Sequence, residues 1–421
     1  MPKTLRTKGK PTDVFEVIVI GGGPAGMMAA IEAGKRGKSV LLLEKNSGLG
    51  KKLLITGGGR CNVTNNKPVV RDMLSQYKKA GKFLYSTFMQ YGVKETIDFF
   101  NVRGLPFKEE NEGRLFPVTD SAASVHAVLE KELRKNNITI KTNSCVTNVT
   151  QKDTLFTVTV GKEEHIKAVA VVIASGGMAR PETGSRGDAW PWLTALGHTV
   201  QAGSTALVPI SIKETWAKAL SGVSLPEATI NIYCEGKKRL SVRGKLLFTH
   251  VGLSGPVILN QSKAIGDMLV EGEVIITIDC APTIDASVIQ AELLFVCMEN
   301  PNKKVKNILA TLIKPALVTP LLTSLAIDGE IKAHSLSAKD RKRIGVAFKA
   351  LPVTITGLLG TDKAVATAGG VDLTEVDFKT MQSNIVPGLY VVGDVLDINR
   401  PSGGYSLQLC WTTGAVAGRS V

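Results

Sequence analysis

The sequence predicts an α/β protein: a discontinuous domain built on a parallel sheet, interrupted by an inserted, mainly antiparallel β domain that carries a small helical subdomain. Three observations carry that prediction. The stretch "FEVIVIGGGPAGMMAAIEAGKRGKSVLLLEK" at 15–45 reads as strand, glycine turn, helix, strand. Two later stretches, "AVAVVIASGG" at 168–177 and "GLYVVGDVLDINRPSGGYSLQ" from 388, again set glycines directly after apolar strands. Between them the pattern changes to alternating segments separated by glycine turns, the mark of antiparallel pairing.

The first element is an apolar strand, Val17 to Ile20, as expected where both faces of a parallel sheet are covered. Gly21, Gly23 and Gly26 then form G-x-G-x-x-G. The first glycine permits the sharp turn, the second lets backbone approach a pyrophosphate, and the third allows close helix–strand packing. A helix starting Pro24-Ala25 presents free N–H groups and the positive end of its dipole to phosphate. Gly37 closes that helix, and Ser39–Leu43 form the second strand. Glu44 follows Gly26 by 18 residues, where an acid can accept hydrogen bonds from a ribose. Strand, helix, strand and acid in register make this a dinucleotide site.

The later stretches select the dinucleotide. Ser175, Gly176 and Gly177 end the second apolar run. A strand through Tyr390–Val392 leads to Gly393-Asp394, and Gly403-Gly404-Tyr405 opens a helix bearing alanine and glycine. An acid after a strand, followed by a glycine-led helix N-terminus, suits a ligand with a polyol arm and a ring that gains negative charge. FAD has both and NAD has neither. The cofactor expected is non-covalent FAD.

The motifs "VIVIGGGPAGMMAA", "GLGKKLLITGGGRCNVTN", "EGRLFPVTDSA", "VVIASGGMARPETGSRGDAW", "LLFTHVGLSGPVILNQS", "TAGGV" and "GLYVVGDVLDINRPSGGYSLQ" run along most of the chain. In these the sequence resembles the BaiN-like or aminoacetone-oxidase-like flavoproteins, a family of NAD(P)/FAD-dependent oxidoreductases with two dinucleotide-binding folds. The resemblance implies a Rossmann-like FAD domain. It adds Lys45, Gly57, Gly58, Gly59, Arg60, Cys61, Val146, Thr367, Gly369, Gly370 and Ser406 to the expected cofactor contacts. Ser406 departs from the family, which more often has Asn after Gly-Gly-Tyr. "TAGGV" is expected to be a turn bordering the flavin.

In "ITGGGRCNVTN" the three glycines suggest backbone lying against a planar ring. Arg60 could offset negative charge on reduced flavin or pyrophosphate, which makes it a candidate catalytic residue. Cys61 lacks the nearby partner that a thiol–disulfide relay needs, so it reads as a small buried filler. In "FTHVGLSGP" His250 is the candidate for moving a proton near neutral pH, with fixing a turn as the alternative. "RLFP" at 114–117 offers Arg114 as a clamp for an anionic substrate, or Phe116 as a wall.

The expected domains are a flexible basic tail at 1–13, the first part of the FAD domain at 14–190, an inserted β domain at 191–282, a helical subdomain at 283–350 with breaks at Pro315 and Pro320, and the second part of the FAD domain at 351–421. The active site is expected where the insert covers the flavin ring.

The chain has 421 residues, 44% hydrophobic and 21% charged, more than one core usually holds and unlike a disordered chain. Its longest apolar runs are strand-sized, and residues 1–13 lack the apolar core of a signal peptide, so a cytoplasmic protein without a membrane partner is expected. The six cysteines show no zinc-type spacing and the five histidines are dispersed, so no metal is expected. The net charge of +14 invites a nucleic-acid reading, but aromatics are only 5%. The longest basic cluster, "KDRKR" at 339–343, contains an acid, so the charge reads as solvated lysines with attraction for an anionic cofactor or substrate. A small-molecule substrate is the expected partner, nucleic acid is not, and oligomeric state stays open.

The expected function is an FAD-dependent oxidoreductase passing a hydride between FAD and a small organic substrate, with NAD(P)H as a transient donor. What the resemblance implies is either reduction of an activated double bond or oxidation of a small amine or alcohol with oxygen. An FAD-bearing RNA-modification or RNA-binding protein is a distant third.

Overall fold

The computed structural model describes residues 14–364 and 366–421. The basic tail at 1–13 lies outside the described residues. The chain divides into two compact units, one running to Thr205 and resuming at 366–421, the other Ala206–Ala364.

The first unit is organised by a nine-stranded sheet. Its parallel centre runs Thr139–Lys141, Val40–Leu43, Val14–Ile20, Glu164–Ile173, Leu389–Val391. Val17, Ile18, Val19 and Ile20 are all buried, as an inner parallel strand requires. The helix Pro24–Lys35 leaves the first strand, and the C-terminal helix Tyr405–Ser420 packs directly on it. Glycine makes that approach possible. A Cβ on Gly414 would stand 2.3 Å from the Ala25 carbonyl oxygen, and one on Gly418 2.3 Å from that of Ala29. The C-terminal helix is buried at Tyr405 and from Leu407 through Gly418, and Trp411 donates its indole N–H to the Val63 carbonyl at 3.0 Å.

The second unit is built on a closed six-stranded antiparallel barrel. Its strands follow the order Ile210–Ile212, Gly252–Ser254, Lys237–Phe248, Ser224–Cys234, Val274–Asp279, Leu351–Leu358, and the last returns to the first. Strand Val274–Asp279 alternates strictly between buried and half-buried positions, with Val274, Ile276 and Ile278 inward. Helices from Ala286 to Lys349 share one apolar core with the barrel.

Three boundaries differ from the sequence reading. The strand Leu351–Leu358 belongs to the barrel, because its alternating apolar residues pair with Val274–Asp279 and close it against Ile210–Ile212. The second part of the sheet domain therefore starts after 364, not at 351. Residues 191–205 belong to the first unit. Trp192 and Leu193 lie in its core, and Val200–Ala206 pairs with Ala366–Val371. The helical stretch at 283–350 has no separate core. Pro315 opens a helix as expected at a first helical position, but Pro320 stays inside Pro315–Ser324 and does not break it. "TAGGV" is a strand, Ala366–Val371, not a turn.

Candidate functional site

The parallel strands end in step. Ile20 pairs with Leu43 and with Ile173, and Val391 with Ile173. The next residue of each chain therefore falls on one edge. There the ladder continues, with Gly21 N–H donating to the Leu43 carbonyl at 2.8 Å, Ala174 to Ile20 at 2.9 Å and Val392 to Ile173 at 3.1 Å. Ligands of open α/β sheets bind outside such carboxyl ends. A pocket opens at this edge, and every residue lining it comes from the first unit.

Of the residues named above as expected cofactor contacts, Gly21, Gly23, Pro24, Ala25, Glu44, Lys45, Val146, Ser175, Gly176, Asp394 and Ser406 line the pocket. Gly26 lies beneath it. A Cβ there would stand 1.9 Å from the Gly21 oxygen, and one on Gly21 2.5 Å from the Ala174 oxygen. The helix start at Gly23 has no side-chain cap and no acid in its first turn, so its N–H groups and dipole remain available to an anion.

Glu44 is buried, and its carboxylate accepts from the backbone of Gly22 at 2.8 Å, the backbone of Asn46 at 2.8 Å and the Asn46 amide at 2.7 Å. A carboxylate offers about four acceptor positions, so the acid fixes the turn and keeps capacity for a ribose hydroxyl. The Asn46 amide also donates to the Thr183 carbonyl at 3.0 Å, and Lys45 pairs with Asp188, tying the segment after Arg180 to the pocket's rim.

Asp394 is the strongest electrostatic feature. Arg400, with its side chain 1% exposed, pairs with it on one side, and Lys52 lies 3.1 Å away on the other. Burial alone would raise the carboxyl, but the two cations override it and hold the acid at about 2. Arg400 also donates to Ser406 Oγ at 3.1 Å and to the Ile398 carbonyl at 2.7 Å. Ser406, the departure from the family pattern, is thus part of one hydrogen-bonded knot with Asp394.

Ser175 tests the fit of a cofactor. Its hydroxyl is buried on the pocket wall and has no hydrogen-bond partner among the described residues. Such a group is costly unless a ligand satisfies it. With the glycine cradle and the uncapped helix start, the residues fit FAD. Gly21, Gly23 and the helix start would hold its pyrophosphate, Glu44 its ribose, and Asp394 its polyol arm. When bound, the flavin supplies the hydride chemistry.

The other expected residues take different places. Gly57, Gly58 and Gly59 all have positive φ; a Cβ on Gly57 would stand 2.9 Å from the Asn62 nitrogen, whereas one on Gly58 or Gly59 would meet no described atom within 4 Å, so the turn's shape alone accounts for the last two. Arg60 pairs with Glu110 and Asp120 and lies over the Phe116 ring at 4.3 Å, which offsets its charge locally. Cys61 is fully buried, and burial pushes its thiol up to about 12, which suits a filler. Arg114 donates to the Asn111 carbonyl at 2.9 Å. Thr367 accepts from the Met178 N–H at 2.7 Å and the Ala179 N–H at 3.0 Å, Gly369 donates to Asp397 at 3.0 Å, and a Cβ on Gly370 would stand 2.4 Å from the Val395 oxygen. These residues brace the turn after Gly177. Gly393 donates to Thr413 at 3.0 Å, and Gly404 backs onto Thr64. Tyr405 is buried. His250 is exposed in the second unit, on the hairpin after Phe248, where Thr249 and Gly252 close the turn.

The sequence reading missed Asn46, Lys52, Ser144, Asp188, Trp192 and Cys410 as pocket residues. Lys52 carried a signal, a lysine pair separated from the glycine triplet by four residues. A Ser383–His198–Glu375 chain, its serine and histidine buried, has contacts of 2.9 and 3.0 Å in the order of a hydrolytic relay. Ser383 Oγ also accepts from the N–H groups of Ile385 and Val386, so it fastens a loop rather than attacking a substrate.

The HI0933-like protein Rossmann domain matches residues 15–420. The chain belongs to the HI0933-like family. It is 32% identical over 407 residues to the ribosomal RNA dihydrouridine synthase of Escherichia coli (strain K12), covering 95% of this chain and 96% of that one. It is also 32% identical over 406 residues to the 3-dehydro-bile acid delta(4,6)-reductase of Clostridium scindens, covering 96% and 98%. Among solved structures it is similar to 3-ketosteroid-delta4-(5alpha)-dehydrogenase from Rhodococcus jostii RHA1, with a TM-score of 0.55 at 16% identity over 100% of this chain and 99% of that one, a likeness of fold. This HI0933-like protein is an FAD-dependent oxidoreductase. No helix among the described residues is long and apolar enough to cross a membrane.

Proposed function

We propose that the protein reduces a carbon–carbon double bond conjugated to a carbonyl, with NAD(P)H as the electron donor. The observation that carries this reading is the FAD pocket in a chain whose two near-full-length relatives are named for one kind of change. A dihydrouridine synthase and a 3-dehydro-bile acid delta(4,6)-reductase both act on ring double bonds conjugated to a ring carbonyl. In the overall reaction the carbon β to the carbonyl gains a hydride and the α carbon a proton, while NAD(P)H leaves as NAD(P)⁺. His250 is the candidate proton donor.

A second reading concerns what carries the double bond. A near-full-length relative named for ribosomal RNA supports a uracil ring within RNA, where lysine and arginine that neutralise phosphates supply affinity of their own.

The test is anaerobic stopped-flow mixing of the purified yellow protein with NADH and NADPH, followed by addition of a small cyclic enone. Bleaching by one nucleotide, slow reoxidation by oxygen and fast reoxidation by the enone are expected. No bleaching by either nucleotide would overturn the reductase reading in favour of an oxidase of amines or alcohols. His250→Asn is expected to slow reoxidation by the enone at least tenfold while leaving bleaching unchanged. An unchanged reoxidation rate would make His250 structural.

A further inference from the structure

The first unit carries a basic surface that the cofactor pocket does not use. Between 67 and 82 stand five bases, Lys67, Arg71, Lys78, Lys79 and Lys82, against one acid, Asp72. None of the five forms an ion pair among the described residues, and all but half-buried Lys67 are exposed. Other basic stretches are neutralised in part, although Lys237, Lys238, Lys339 and Lys342 form no ion pair among the described residues. Arg239 and Arg243 of the barrel pair with Glu271 and Glu227, and Arg343 of "KDRKR" pairs with Asp340.

The fold gathers these bases. Helix Val70–Ser75 and helix Gly81–Gln90 pack together across the turn at Lys78–Ala80. The turn is tight, since a Cβ on Gly81 would stand 2.6 Å from the Leu74 oxygen. Along the second helix Lys82, Tyr85 and Met89 share one exposed face at spacings of three and four. Tyr85 is 46% exposed, and half-exposed Phe378, packed on Phe83 at 5.5 Å, adds a second aromatic beside Lys379. The turn is also fastened to the pocket wall. Buried Tyr77 donates its hydroxyl to the Tyr405 carbonyl at 2.8 Å, and the next residues, Ser406 and Leu407, line the pocket.

We infer that this surface, Lys67 to Lys82 with Tyr85, grips the phosphate backbone of an RNA whose base is the substrate. The inference rests on the second reading above. Unpaired lysines at the meeting of two helices offer positive charge without internal compensation, and flanking aromatics provide faces for unpaired bases. An anionic membrane is the less suited partner. The exposed apolar groups here are single side chains among lysines, whereas an interfacial helix needs a continuous apolar face.

The experiment uses the full-length holoprotein and a fluorescein-labelled, uridine-containing RNA hairpin, with anisotropy read across a salt series. The wild type is expected to bind with a strong salt dependence. Lys78→Glu/Lys79→Glu/Lys82→Glu is expected to weaken binding at least tenfold and to flatten the log–log salt slope by about three. Its visible flavin spectrum and its bleaching by NADPH are expected to stay as in the wild type, which reports an intact fold. Lys339→Glu/Lys342→Glu, on the other unit, is expected to bind as the wild type does. Wild-type affinity in the triple variant, or no RNA binding by the wild type, would overturn the inference. So would a loss confined to binding of phosphatidylserine vesicles, with RNA binding retained. Enone reduction is measured on the same samples. Its failure with RNA binding intact would sink the reductase reading alone, and intact enone reduction without RNA binding would sink the surface alone.

Discussion

Two glycine-rich turns, 21–26 and 57–59, look equally permissive in the sequence, yet glycine serves a different purpose in each. At Gly21 and Gly26 it is excluded volume. Gly26 and Gly21 lie so close to neighbouring carbonyls that any side chain would collide with backbone. At Gly58 and Gly59 it is conformation. Gly58 and Gly59 have φ of 70° and 86° and open space around the missing Cβ. Backbone cannot yield without moving a helix, whereas a left-handed φ costs an L-residue only about 1–2 kcal/mol. The first turn therefore fixes the fold and the second only shapes a loop.

That comparison breaks most sharply at Gly26. Gly26→Ala is expected to cost more than about 4 kcal/mol, beyond the usual range for single substitutions, and to yield protein without FAD. Soluble expression and flavin absorbance check it. Yellow protein of normal stability would mean the helix can shift away from its strand.

The second-largest effect is expected beside the first turn's pocket, at Arg400. Arg400→Gln leaves Asp394 buried with Lys52 alone, and breaking a buried pair costs about 3–5 kcal/mol. Chemical denaturation measures the loss, and adding Asp394→Asn should recover much of it because the stranded charge is gone.

The same carboxylate sets a pH dependence. Its folded value of about 2 lies below the ordinary 3.8. The contribution is therefore fully present above about pH 4 and is lost as pH falls toward 2. At 1.36 kcal/mol per unit this amounts to ~2 kcal/mol, visible as an acid-side drop in stability that Arg400→Gln should blunt.

The smallest effect is expected at the second turn. Gly58→Ala should cost about 1 kcal/mol through φ alone and leave FAD bound. A loss as large as that of Gly26→Ala would mean the loop is packed against something as tightly as the first turn is.

The legibility of the molecule divides along the same line. The strand–turn–helix–strand at 14–43, with Glu44 at its end, is readable because hydrophobic period, glycine spacing and acid all lie within one local stretch. The edge of the insert is not, since Leu351–Leu358 has the alternation of any half-buried strand, and only its pairing with Val274–Asp279 assigns it to the barrel. Arg60 misled for a similar reason. A cation between a glycine and a cysteine near a cofactor motif suggests an anion site, but Glu110 and Asp120, fifty and sixty residues away, take its charge.

The sequence by itself determined that strands of one parallel sheet would end in glycines around a dinucleotide, because backbone sterics and burial act over neighbouring residues. Only the tertiary structure decided which charges remain free. Arg400 is consumed by Asp394 and Arg60 by its two acids, while the lysines of 67–82 have no partner among the described residues. Coulomb interactions depend on distance in space, and a linear chain does not record it.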